Sequence, residues 1–134
     1  MKIQKETVSL FDQDKQYVFD YLKARDVDNA ELDRIIRDYQ FGLLEDTHFY
    51  VSGEEYCISH FLSKSEIVGY DIRKVNALLG TETTDVIAFA VVEGDDVICY
   101  ETKRKTVFLW RVQTDNGVKL HVSDDLTKFL EELE

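Results

Sequence analysis

Apolar positions change period along this chain, and the changes mark its elements. Phe11, Val18, Tyr21 and Leu22 fall on one stripe at helical spacing. They predict a helix from about Leu10 to Arg25, with Ser9 as N-cap and Asp12 completing a capping-box-like pair. Leu32, Ile35, Ile36 and Tyr39 repeat the i, i+3, i+4, i+7 pattern. They predict a second helix over Asn29 to Tyr39, capped by Asp28 and stopped at Gly42. Ile72, Val75 and Leu79 suggest a short helix over Asp71 to Leu79, ended by Gly80. Leu126, Phe129, Leu130 and Leu133 predict a final helix introduced by Ser123, with Asp124 and Asp125 in its first turn, where the helix dipole favours anions.

Between these stripes the residues are β-branched and aromatic, as strands require. THFYVS (47–52) and YCISHFL (56–62) form a pair that can turn at Ser52 and Gly53. DVIAFAVV (85–92), DVICYE (96–101), TVFLWRV (106–112) and GVKLHV (117–122) follow in succession, separated by EGD, TKRK and DNG turn signals. Strands are grouped instead of alternating with long helices. The expected fold class is therefore α+β, with a central, mostly antiparallel sheet flanked by helices. There is no proline, no Pro/Gly/Ser-rich linker and no internal repeat, so the 134 residues are expected to form a single domain, 1–134.

Charge narrows the function. The chain carries 16 basic and 27 acidic side chains, a formal net charge of −11. Residues 41–102 alone hold 12 acidic against 3 basic groups. Nucleic acid is an unexpected partner, because phosphate contacts need clustered Lys and Arg. A basic protein partner suits this charge through electrostatic steering, although a net charge of this size also serves solubility. No apolar run reaches the ~18 residues of a membrane span, so no membrane partner is expected. The N-terminus lacks a signal-peptide core, and Cys57 and Cys99 sit in apolar contexts that suit reduced thiols. These features point to the cytoplasm.

Catalytic chemistry is hard to find. Cys57 and His60 have C-x-x-H spacing, but in a regular strand the two positions face opposite sides. A metal site from Cys57, His60 and Cys99 lacks the paired short spacings of zinc centres. No local signature supports a nucleophile built from Cys57 or Cys99 with His121. Glu45–Asp46, Glu54–Glu55, Asp95–Asp96 and Asp124–Asp125 are adjacent acids of the kind that turns solvate, and no phosphate loop occurs. Trp110 reads as a buried aromatic or, if partly exposed, as an interface anchor. The expectation is a protein that is no enzyme, with no catalytic residues, no metal and no cofactor. It would act through an acidic face containing Glu54, Glu55, Glu93, Asp95 and Asp96, with Trp110 as an anchor.

One further pattern covers residues ~40–134. Phe89–Ala90 is followed by the acidic turn Glu93–Gly94–Asp95–Asp96, then Ile98–Cys99–Tyr100, Val107 to Trp110, and Ser123 leading to Phe129–Leu130. Upstream lie Phe41–Gly42–Leu43–Leu44 and FLSKSEI (61–67). In order and spacing these segments resemble the SUKH superfamily, the domain shared by a fungal cell-wall-synthesis regulator and many bacterial immunity proteins. Leu44 replaces the family's proline, and Ser52–Gly53 takes the place of its Asn-Gly-Gly. The resemblance implies an α+β SUKH-like domain. It further implies an immunity protein (antitoxin) of a polymorphic toxin system, which binds and neutralises a basic toxin domain such as a nuclease, as a monomer or weak dimer. A regulatory or scaffold binding module, as in the fungal relative, is the alternative it leaves open.

Overall fold

Seven strands pair antiparallel throughout in the computed structural model, which describes residues 12–27, 42–43, 47–113 and 117–133. The strands are β1 (Gly42–Leu43), β2 (His48–Val51), β3 (Glu54–Phe61), β4 (Val86–Val92), β5 (Val97–Glu101), β6 (Thr106–Trp110) and β7 (Lys119–Ser123). Their order is β1-β3-β4-β5-β6-β7, and β2 also pairs with β3. Among the described residues three α-helices, α1 (Asp12–Ala24), α2 (Ile72–Leu79) and α3 (Leu126–Glu132), join the sheet in an α+β fold.

Turn chemistry explains the meander. Between β2 and β3, Ser52 and Gly53 both adopt positive φ. That is the two-residue turn whose twist matches flanking strands. Between β4 and β5, the amide of Asp95 donates to the Val92 carbonyl at 3.0 Å and the amide of Val92 donates to the Asp96 carbonyl at 2.8 Å. Gly94 and Asp95 both sit at positive φ there, which glycine and aspartate tolerate best. TKRK forms the turn between β5 and β6.

The core centres on β4 and β5. Ile87, Ala88, Ala90, Ile98 and Cys99 are wholly buried, and the ring of Phe89 packs near Phe61 and Phe129. Each fully buried Leu, Ile or Phe contributes ~1.5–3 kcal/mol by leaving water, so these strands anchor the domain. Both β4 and β3 are bulged. Ala88 pairs with Cys99 and Ala90 with Ile98, leaving Phe89 as the extra residue. In β3 the shift falls between Ile58 and His60, which pair with Val92 and Val91. The opposition of positions 57 and 60 expected for a regular strand therefore does not hold across this bulge.

β3 stops at Phe61, which pairs with Ala90. The side chain of Asn76 serves Ala88 beyond that point. Its Oδ1 accepts from the Ala88 amide at 2.8 Å, and its Nδ2 donates to the Ala88 carbonyl at 2.9 Å. Asn76 is wholly buried, and its remaining capacity is met by the Ile72 carbonyl and the Thr81 hydroxyl. Arg25, just past α1, continues the arrangement by donating to the carbonyls of Thr81, Thr84 and Val86.

The short helix appears one residue later than read, because Asp71 is its N-cap, and Gly80 at φ 72° closes it as expected, through its amide to Asn76 and Ala77. Two readings are corrected. Gly42 does not act as a helix stop: it begins β1 and pairs with Phe61. Ser123 belongs to β7, and Asp125 caps the final helix by accepting from the Lys128 amide. Asp124 and Asp125 therefore precede the first turn. The expected helix at Asn29 to Tyr39, with its Asp28 cap, lies outside the described residues, as do Ser9 and Phe11.

Candidate functional site

A cleft of about 540 Å³ opens where α2 lies over the β4–β5 side of the sheet. Val75 and Leu79 line it from α2, Val91 and Val97 from the strands, and Val112 from beyond β6. The loop after β3 contributes Val68, Gly69 and Tyr70. Its rim is apolar and solvated: Val68 is 89% exposed, Leu78 81% and neighbouring Ile67 64%. An isolated exposed valine needs no explanation, but three such residues beside one cleft form the kind of patch that marks binding surfaces.

Asp71 holds the loop that presents Val68. One carboxylate oxygen accepts from the Ser65 amide, and the other from the amides of Arg73 and Lys74 and from the Tyr17 hydroxyl at 3.1 Å. Burial, together with that nearby carboxylate, pushes the Tyr17 phenol up to about 12. The loop is thus tied at once to α2 and α1. At the cleft floor the His60 ring stacks on Tyr70 with centroids 3.8 Å apart, and Nε2 lies 2.8 Å from the Gly69 carbonyl. That contact fixes Nε2 as the protonated nitrogen, and Nδ1 then accepts from the Ser59 hydroxyl at 2.9 Å. Burial lowers the His60 pKa, opposed more weakly by that backbone bond and by the charge of Asp95.

The acids singled out from sequence separate into distinct roles. Glu93 and Asp95 are exposed in the β4–β5 turn, and Asp95 also lines the cleft. Asp96 turns inward. Its Oδ1 accepts from the Gln113 amide at 2.9 Å and its Oδ2 lies 3.4 Å from Arg111 Nε. Arg111 in turn donates to the Tyr56 hydroxyl at 3.3 Å and lies over that ring. Asp96 therefore knits the sheet end and contributes little open charge. Glu54 and Glu55 open β3 at the same end of the sheet, because the Glu93 amide donates to the Cys57 carbonyl. Glu54 accepts from the Tyr56 hydroxyl at 2.8 Å. Lys103, Arg104 and Lys105 lie at the opposite end, where Lys103 faces Asp85 at 3.5 Å and Arg104 faces Glu101 at 3.4 Å.

Trp110 pairs across the ladder with Val97, a cleft residue, and with Lys119 on its other side. It is half-buried, beneath the Lys119 ammonium at 5.3 Å. It thus flanks the cleft without lining it. Sequence reasoning missed Val68 and Leu78, and it weighed His60 only as a metal ligand. The exposed pair Val68 and Leu78 could have been suspected, since Val68 falls between charged Glu66 and Gly69 and Leu78 falls off the stripe of Ile72, Val75 and Leu79.

The thiols also separate. Cys99 is wholly buried, and desolvation pushes its thiol far above the ordinary range. Cys57 pairs across strands with His48, with Sγ 3.2 Å from Nδ1, and Glu55 Oε1 lies 3.0 Å from the same nitrogen. His121 is occupied elsewhere, with Asp124 at 3.0 Å. No helix among the described residues is long and apolar enough to cross a membrane. Comparison with family models, with curated proteins and with solved structures returns no match to this chain.

Proposed function

We propose that this chain is a non-catalytic, SUKH-type protein-binding domain acting as an immunity protein. It binds a cognate basic toxin domain, of the nuclease kind, and blocks it. The observation that carries this reading is the solvated apolar rim of Val68 and Leu78 around a cleft edged by Asp95. A desolvated apolar centre with a charged border is the arrangement that stable protein interfaces use. Glu93 and Asp95, with Glu54 and Glu55 at the same sheet end, would speed encounter with a basic surface. The histidine at the cleft floor supports binding over catalysis, because both its nitrogens are engaged by Gly69 and Ser59.

The test begins with the product of the adjacent gene. Co-expression should relieve its toxicity, and Leu78→Asp or Val68→Asp should abolish relief while leaving the melting temperature nearly unchanged. A toxic neighbour whose action this protein does not alter, or a non-toxic neighbour, overturns the reading.

A further inference from the structure

Outside the cleft, His48, Glu55 and Cys57 converge on the outer face of the β2–β3 hairpin. Their ligand atoms all lie within 4.8 Å of one another. Strand register explains the convergence. His48 and Cys57 are direct partners across the ladder, and Glu55 stands two residues before Cys57 on the same face. Tyr50, the partner of Glu55, places its hydroxyl 3.4 Å from Oε2 and so steadies the carboxylate with Oε1 turned toward the other two groups.

The geometry distinguishes two chemistries. A cysteine nucleophile relay engages the thiol at one imidazole nitrogen and the acid at the other. Here Sγ and Oε1 both face Nδ1, at 3.2 and 3.0 Å, and are 4.0 Å from each other. That is a set of three donors facing one point. Tetrahedral zinc, with bonds of ~2.3 Å to sulfur and ~2.0–2.1 Å to nitrogen or oxygen, puts its donors roughly 3.3–3.6 Å apart. The observed separations bracket that spacing, so small side-chain adjustments suffice.

From this convergence of thiol, imidazole and carboxylate we infer that the hairpin is a binding site for a thiophilic divalent cation, zinc in the first instance. The donor set selects it: sulfur and imidazole favour zinc over magnesium or calcium, which seek oxygen. Binding forms the zinc–sulfur bond as the thiol proton leaves to solvent. Nδ1 coordinates as the free base with its proton on Nε2, Glu55 supplies the third bond, and water completes the tetrahedron. The ion ties β2 to β3 and cancels charge at the acidic sheet end.

The inference is independent of any protein partner and is tested with the metal alone. Isothermal titration of the whole protein with zinc chloride should show one equivalent bound, with proton release in weak buffer. Cobalt(II) should give the intense visible bands of a tetrahedral site and a thiolate charge-transfer band. Cys57→Ser should lose the charge-transfer band and the proton release, and His48→Gln should lose tight binding. Tyr50→Phe should weaken affinity by about tenfold, as partners behind metal ligands do. His121→Gln, which touches a separate ion pair, should bind as the parent does. Circular dichroism of each variant confirms that the sheet is intact. Absence of stoichiometric zinc binding by the parent, or binding unchanged in Cys57→Ser and His48→Gln, overturns the site.

Discussion

The side-chain amide of Asn76 pairs with the backbone of Ala88 as a neighbouring strand would, giving one bond and receiving one. A helix residue thereby finishes a sheet that β3 leaves short. Replacing Asn76 with Ala strands the Ala88 amide and carbonyl in a dry interior. The expected cost is about 3 kcal/mol, since each buried polar group left unpaired costs ~1–3 kcal/mol. Asn76→Asp should fare no better, because a carboxylate cannot donate to the Ala88 carbonyl. Urea unfolding of both variants measures this, and a loss below about 1 kcal/mol would show that the pairing is dispensable.

Asp95 and Asp96 are adjacent in sequence and opposite in consequence. Asp96→Asn should destabilise by about 2 kcal/mol, because Arg111 loses its charged partner in a mostly buried setting. Glu93→Gln and Asp95→Asn should change stability by no more than about 0.5 kcal/mol, as exposed substitutions do. The latter two should instead slow association with a basic partner at low salt, and added salt should erase the difference. Equal stability of all three variants would contradict the inward role of Asp96.

His60 confers a pH dependence whose sign follows from its surroundings. Burial lowers its pKa below the ordinary 6.5, so the unfolded chain takes up the proton first as pH falls. The stability held by neutral His60 is thus complete above 6.5 and is lost as pH drops through the lower, folded value. The melting temperature should fall from pH 7 to pH 5, and His60→Gln should flatten that slope. An unchanged slope in the variant would assign the effect to other groups.

The two thiols should react at separate times. In native protein a disulfide reagent should modify Cys57 promptly, since it is partly exposed, and leave Cys99 untouched. Cys99 is wholly buried and burial holds it protonated, so its modification should track unfolding. Zinc should protect Cys57 if the hairpin site is occupied.

Much of the fold was legible because its signals are local. The period of Ile72, Val75 and Leu79 and the Gly80 stop each act within a few residues, and so do the Ser52–Gly53 and Gly94–Asp95 turns. The site was less legible because it is assembled across the chain. Asp95 could be read as an exposed turn acid, but nothing in its neighbourhood announces that Asp96 will meet Arg111. His48 and Cys57 are nine apart, a spacing that becomes contact only once the hairpin register is set. Asn76 resembles an ordinary polar helix residue until β3 is found to end early. Ser123 misled because Asp125, two residues on, offers the same capping chemistry and wins it.

The extra residue in β4 separates chain length from strand pairing. Ala88 and Ala90 meet Cys99 and Ile98, which are themselves consecutive. A chain without Phe89 could keep every rung between β4 and β5. It would forfeit the aromatic contacts to Phe61 and Phe129 and the acceptor for the Leu62 amide. Related chains can therefore differ by one residue at this point and remain superimposable on either side of it. An alignment that forbids a gap inside so apolar a strand would misplace one half of the sheet.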